Sequence, residues 1–195
     1  MERLKIGVLG SGKGSNFRAI LAEIHAGRLD VDPAIVASDF PDSGILTLAR
    51  EAGVPTHFIN EKKFRTKLST ETEAALVEAL HAAGVEIVVL AGYMRMVGAP
   101  MLEAFPRRII NIHPSLLPMF PGLEAWRQAL VAGVEKTGCT VHFVDAGMDT
   151  GEIIAQTEVP VLANDTAESL HERIQVAEHQ LFPAVVARFA SRELP

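Results

Sequence analysis

Short apolar runs alternate with amphipathic segments along this chain. Lys5-Ile6-Gly7-Val8-Leu9 predicts a buried strand, followed by a glycine-rich turn and a helix from Asn16 to Ala26. Pro33 to Ser38 predicts a second strand, and Ser43 to Ala52 a second helix closed by Gly53. Thr56-His57-Phe58-Ile59 is a short third strand, and the polar segment Asn60 to Thr70 leads into a helix ending near Ala83 before Gly84. The segment Val85 to Ala91, rich in β-branched residues, suits a parallel strand covered on both faces. Arg108 to Ile112 is the next strand.

Beyond it the pattern changes. Thr140 to Val144 and Ile153 to Val161 lie too close together for a crossover helix, which predicts an antiparallel pair. Thr166 to about Ser191 reads as a closing helix, with Thr166 as N-cap and Glu168 in the first turn. Repeated βα units giving way to a hairpin predict a three-layer α/β domain. Its sheet is mostly parallel and seven-stranded, with one antiparallel strand.

Length and composition narrow the class. At 195 residues the chain has the size of one domain. Its 48% hydrophobic and 22% charged content is ordinary for a globular protein. A net charge of −6 argues against a general nucleic-acid or membrane-surface binder. The single cysteine, Cys139, excludes an intrachain disulfide and suits a reducing cytoplasm. Met1 to Lys5 leads straight into a strand, so no signal peptide is expected. No apolar run approaches the roughly 20 residues that span a bilayer.

Gly10-Ser11-Gly12-Lys13-Gly14-Ser15-Asn16 joins the first strand to the first helix. Glycines there let a ligand approach the backbone, and the helix N-terminus favours a phosphate. The Walker pattern fails, because Gly14 stands where Ser or Thr must hold magnesium; the dinucleotide fingerprint fails at Ser15. The loop is either a phosphate site or a tight turn with Ser15 or Asn16 as a helix cap.

Asn111 and His113, two residues apart on a strand, point to the same side, and Pro114 ends regular pairing just after them. An amide donor and an imidazole thus meet at a strand's C-terminal edge, where open α/β sheets place their chemistry. Asp149 adds a carboxylate able to keep the imidazole protonated, a set suited to charge developing on a carbonyl oxygen. An isolated histidine titrates near about 6.5, and this carboxylate is expected to raise it.

On these segments the sequence resembles the folate-dependent glycinamide ribonucleotide formyltransferases. The matching pieces are Gly12 to Asn16, Leu90 to Arg95, Asn111 to Pro118, Pro121-Gly122-Leu123 and Val141 to Val144 through Asp149-Thr150-Gly151. They cover essentially the whole chain in family order. The resemblance implies a formyltransferase-type Rossmann-like fold over residues 1–195, with ribonucleotide binding in the N-terminal part, folate binding in the C-terminal part and the active site between. It implies Asn111, His113 and Asp149 as the catalytic trio. Gly14, Ser15 and Asn16 would hold the ribonucleotide phosphate, with Pro114 nearby and Gln175 and Glu178 near the ribose. Met94, Arg95, Met96 and Val97 would line the folate pocket with Asn111, presenting mainly backbone to the pterin. The loop of Asp145, Ala146, Gly147, Met148 and Asp149 would close its other side.

The implied co-substrate is 10-formyltetrahydrofolate, with no metal. The implied partners are small molecules, without nucleic acid or membrane, in a cytoplasmic monomer or homodimer. Two positions depart from the family. Lys67, with Arg65 nearby, stands where an arginine usually meets the folate tail; Glu124 and Trp126 stand where histidines are common. A hydrolase releasing formate from the same donor, or a non-catalytic nucleotide-binding module, are the competing readings.

Overall fold

The computed structural model describes residues 3–194. Its strands are β1 (Leu4–Leu9), β2 (Val31–Ser38), β3 (Thr56–Phe58), β4 (Ile87–Leu90), β5 (Ile109–His113), β6 (Lys136–Phe143) and β7 (Ile153–Pro160). The helices are α1 (Ser15–His25), α2 (Gly44–Glu51), α3 (Thr70–Ala82), α4 (Ala99–Ala104), α5 (Ala125–Ala132) and α6 (Ala167–Ala190). One seven-stranded sheet has the order β3-β2-β1-β4-β5-β6-β7. The first five strands pair in parallel, and β6 runs against both of its neighbours. The sheet therefore has one antiparallel strand, as the short 144–152 connection implies.

Alternating side chains send two apolar sets to opposite faces. Ile6, Val8, Val89, Ile110 and Val141 meet Phe17 and Ile20 of α1, Ile45 of α2 and Phe182 of α6. Leu9, Val88, Leu90 and Ile109 meet Leu76 and Leu80 of α3 and Met101 of α4. Residues such as Phe17 and Phe182 are fully buried, each contributing about 1.5–3 kcal/mol of hydrophobic stabilisation. No helix among the described residues is long and apolar enough to cross a membrane.

Several boundaries differ from the sequence pattern. The α1 cap is Gly14, left-handed at φ 77, rather than Ser15 or Asn16. Strand β2 starts at Val31 and takes in Pro33; the β1–β2 register slips between Ile6 and Gly7, where the proline has no N–H to offer. Strand β6 begins four residues earlier than the predicted Thr140, at Lys136. Helices α4 and α5 are absent from the pattern, because neither start carries a side-chain cap of its own. The Gly98 N–H at the start of α4 donates to Glu73 Oε1 of α3 at 2.6 Å. Helix α5 starts after Glu124, left-handed at φ 52, with no side-chain cap.

Connections from β1 and β2 place α1 and α2 on one face, whereas those from β3 and β4 place α3 and α4 on the other. The loops after β1 and β4 consequently diverge, opening a crevice at their carboxyl ends with the end of β5 beside it.

Candidate active site

The end of β5 carries a polar face inside an otherwise apolar sheet. Ile110 and Ile112 point into the core, which turns Asn111 and His113 the opposite way. On the antiparallel neighbour, Asn111 faces His142 and His113 faces Thr140. Loop residues rather than a helix cover this face. Thr140 Oγ1 donates to Ser115 O at 2.6 Å and accepts from Leu117 N at 3.0 Å. Gln156 Nε2 ties down the same segment through Leu117 O at 2.9 Å.

That loop returns the Phe120 carbonyl to His113, whose Nε2 donates to it at 2.9 Å. The other ring nitrogen, Nδ1, lies 3.3 Å from Asp149 Oδ2. Asp149 Oδ2 also accepts from Gly122 N at 2.8 Å, and Oδ1 lies 3.6 Å from His142 Nε2. Asn111 Nδ2 donates to His142 Nε2 at 3.1 Å, and His142 Nδ1 donates to Phe143 O at 2.8 Å. An amide nitrogen has two hydrogens, so Asn111 keeps one for another acceptor. Asp145 forms an Asx-type turn of its own: its Oδ1 accepts from Gly147 N at 3.0 Å and Thr150 Oγ1 at 2.7 Å. Asp149 is thereby left free to face the two imidazoles.

His113 does not show the raised pKa expected from its carboxylate neighbour. Burial pulls its pKa below the ordinary histidine value, and the Phe120 carbonyl and Asp149 charge only partly oppose that. Burial pushes the Asp149 carboxyl up, but the His142 imidazole, the Gly122 N–H and the His113 charge outweigh it, so it titrates below its usual value. The carboxylate is therefore charged at neutral pH, and His113 gains its proton more readily once charge develops nearby.

At the neighbouring crevice, α1 begins with no side-chain cap and no acidic residue in its first turn. Its first N–H groups are thus open to an anion. The Asn16 side chain is turned inward, where Nδ2 donates to Glu178 Oε2 at 3.0 Å. Burial raises the Glu178 carboxyl to about 7, against that hydrogen bond. Gln175, on the same helix, is half-buried. Ser11 joins this loop to the turn after β4: its N–H donates to Gly92 O and its Oγ accepts from Met94 N, both at 3.0 Å.

In that turn the Arg95 side chain is committed to structure. Its Nε meets Asp39 Oδ2 at 2.7 Å, with side chains 9% and 3% exposed. Its Nη1 donates to Phe64 O at 2.6 Å and Lys67 O at 3.1 Å, fixing the 64–67 turn. Met96 N donates to Thr66 O at 2.8 Å. Arg65 and Lys67 are exposed, with Lys67 Nζ 4.9 Å from the Phe64 ring centre. Met94 and Met148 are exposed as well, and Val97 is buried. No group of three or more potential metal-ligating side chains occurs among the described residues.

Residues 4–186 match the formyl transferase family. The chain belongs to that family. It is 42% identical over 182 residues to the phosphoribosylglycinamide formyltransferase of Bacillus subtilis (strain 168), covering 93% of this chain and 92% of that one. It is 40% identical over 190 residues to the human trifunctional purine biosynthetic protein adenosine-3, covering 97% of this chain and 19% of that protein. The crystal structure of glycinamide ribonucleotide transformylase 1 from Symbiobacterium toebii is similar with a TM-score of 0.94 and 51% identity, over 100% of this chain and 91% of that one.

In this formyl transferase the sequence pattern brings forward Asn111, His113 and Asp149 but gives no role to His142, Phe120 or Gly122. His142 has a usable signal, being a histidine in register two after Thr140 within an apolar strand. The Phe120 carbonyl and Gly122 amide have none, because backbone groups carry no residue identity.

Proposed function

We propose that this chain transfers the formyl group from 10-formyltetrahydrofolate to the primary amine of glycinamide ribonucleotide, giving N-formylglycinamide ribonucleotide and tetrahydrofolate in purine biosynthesis. The observation that carries this reading is the meeting of Asn111, His113 and Asp149 in one cluster at the end of β5, beside the uncapped start of α1.

The amine attacks the formyl carbon, forming one C–N bond while the oxygen takes negative charge. The free Asn111 N–H and the His113 imidazolium meet that oxygen. Because His113 Nε2 is held by Phe120 O at 2.9 Å, the oxyanion replaces that carbonyl as its acceptor. One such donor contributes about 2.7–4 kcal/mol to lowering a barrier. Asp149 stabilises the imidazolium and orients a water that carries the amine proton to the folate nitrogen as the second C–N bond breaks.

Gly14, Ser15 and Asn16 hold the phosphate through backbone N–H groups, since the Asn16 side chain is engaged by Glu178. Pro114 borders the ribonucleotide, and Gln175 and Glu178 lie toward its ribose. With Met94 N and Met96 N taken by Ser11 and Thr66, Arg95 and Val97 offer their amides to the pterin. Met94 and Met148 supply exposed thioethers to a flat ring. The loop from Asp145 through Ala146, Gly147 and Met148 to Asp149 closes the pocket, and Lys67 meets the folate tail.

All these groups come from one chain, so residues 1–195 serve as a single formyltransferase domain in either a monomer or a homodimer. The lone buried thiol of Cys139 is in keeping with a cytoplasmic enzyme. The deciding assay follows tetrahydrofolate formation with and without glycinamide ribonucleotide. Dependence on the ribonucleotide is expected; formate release in its absence would instead identify a hydrolase.

A further inference from the structure

Trp126, in the first turn of α5, lies flat against His171 of α6. The ring centroids are 3.7 Å apart and the planes differ by 4°. At the edge of that stack, Gln175 Nε2 donates to His171 Nε2 at 3.3 Å. An amide nitrogen only donates, so the imidazole accepts there and carries its proton on Nδ1. Burial pulls the His171 pKa below the ordinary value, against the charge of Glu172, which favours this neutral form. With its NH2 group turned to His171, Gln175 presents its carbonyl oxygen the other way.

His171, Gln175 and Glu178 fall at i, i+4 and i+7, a single stripe along α6. Glu178 ends the stripe against Asn16 in the first turn of α1. A ring free to rotate would direct its nitrogen anywhere; the indole holds it in one plane.

We propose that His171, held flat by Trp126, is a positioning residue for the ribonucleotide: it fixes the Gln175 amide so that the carbonyl oxygen faces the ribose hydroxyls. An oriented acceptor selects hydroxyl donors over ether or phosphate oxygens, which cannot donate. This rests on the reading of Gln175 as a ribose contact; His171 and Trp126 themselves touch no substrate.

His171→Phe keeps a ring for Trp126 to stack on but removes the nitrogen acceptor. It should raise the KM for glycinamide ribonucleotide about two- to tenfold, the loss of one neutral hydrogen bond. Turnover at saturation and the folate KM should stay within about twofold. Trp126→Ala should act in the same direction, and Trp126→Phe should restore the wild-type KM. Gln175→Ala should raise the ribonucleotide KM at least as much, and adding His171→Phe to it should raise it no further. Trp126, the single tryptophan of the chain, reports by its emission that the His171 and Gln175 variants are folded. An unchanged ribonucleotide KM in Gln175→Ala would overturn the underlying contact. A raised KM there with no effect of His171→Phe, or with effects that add, would overturn the positioning role alone.

Discussion

His113 Nδ1 stands 3.3 Å from Asp149 Oδ2 while its other nitrogen is held by a backbone carbonyl. The carboxylate therefore faces the one ring position that gains and loses a proton. Burial lowers the His113 pKa and Asp149 opposes it, so Asp149→Asn should move the His113 titration to still lower pH. A lower pKa means the imidazolium is lost at lower pH, which shifts the alkaline decline of turnover the same way. Turnover at neutral pH should fall about 100-fold, with little change in either KM. NMR titration of His113 in both proteins checks this; an unmoved or raised pKa would remove the electrostatic role.

The phosphate loop is best tested at Gly12 rather than Gly14. A Cβ on Gly14 would stand 2.9 Å from the Ile45 backbone at φ +77, so Gly14→Val disturbs packing as well as the loop. A Cβ on Gly12 meets nothing within 4 Å. Gly12→Val should raise the ribonucleotide KM about tenfold or more while leaving the folate KM and thermal midpoint near wild type. Gly14→Val should lower the midpoint as well. Equal weakening of both substrates by Gly12→Val would count against a phosphate site.

The 64–67 turn separates a binding role from a supporting one. Lys67→Ala should raise the folate KM a fewfold at low salt, and the difference should shrink as salt rises, because exposed charges are screened within about 8–10 Å. If Arg65→Ala is deleterious instead, the contact belongs to Arg65. Arg95→Met breaks the buried pair with Asp39 and the tether to Phe64 and Lys67. It should lower unfolding free energy by about 3–5 kcal/mol in urea titration, whatever the salt.

Glu178 makes stability depend on pH. Its carboxyl titrates at about 7 in the folded chain against an ordinary 4.5. Between those values the folded protein keeps a proton that the unfolded chain has lost, so stability falls as pH rises, by at most about 1.4 kcal/mol per unit. Glu178→Gln retains an acceptor for Asn16 but does not titrate. Its advantage over wild type should grow from pH 5 to pH 7 and then level off, read as urea midpoints across that range. A constant difference would mean that Glu178 is charged throughout.

Much of the fold is legible because strand and helix periods differ. The apolar run before Asn111 and the Asp149-Thr150-Gly151 turn mark where chemistry gathers, and the short 144–152 connection marks the reversal of β6. His142 is visible as a residue but not as a neighbour, since only the β5–β6 register sets it opposite Asn111. Helix α4 is hidden because Glu73, from a different helix, caps it.

The sequence by itself determined the alternation of elements, the same-side placement of Asn111 and His113, and the glycine loop at a strand-to-helix junction, because each follows from local period and backbone freedom. Tertiary structure alone decided the direction of the His113 shift, since desolvation depends on what covers the ring. It also decided that Arg95 serves the 64–67 turn, that Asn16 faces Glu178, and that Trp126 stacks on His171. Those are contacts between distant segments, and their partners are chosen by packing and by the need to satisfy buried polar groups, neither of which is written in any local window of the chain.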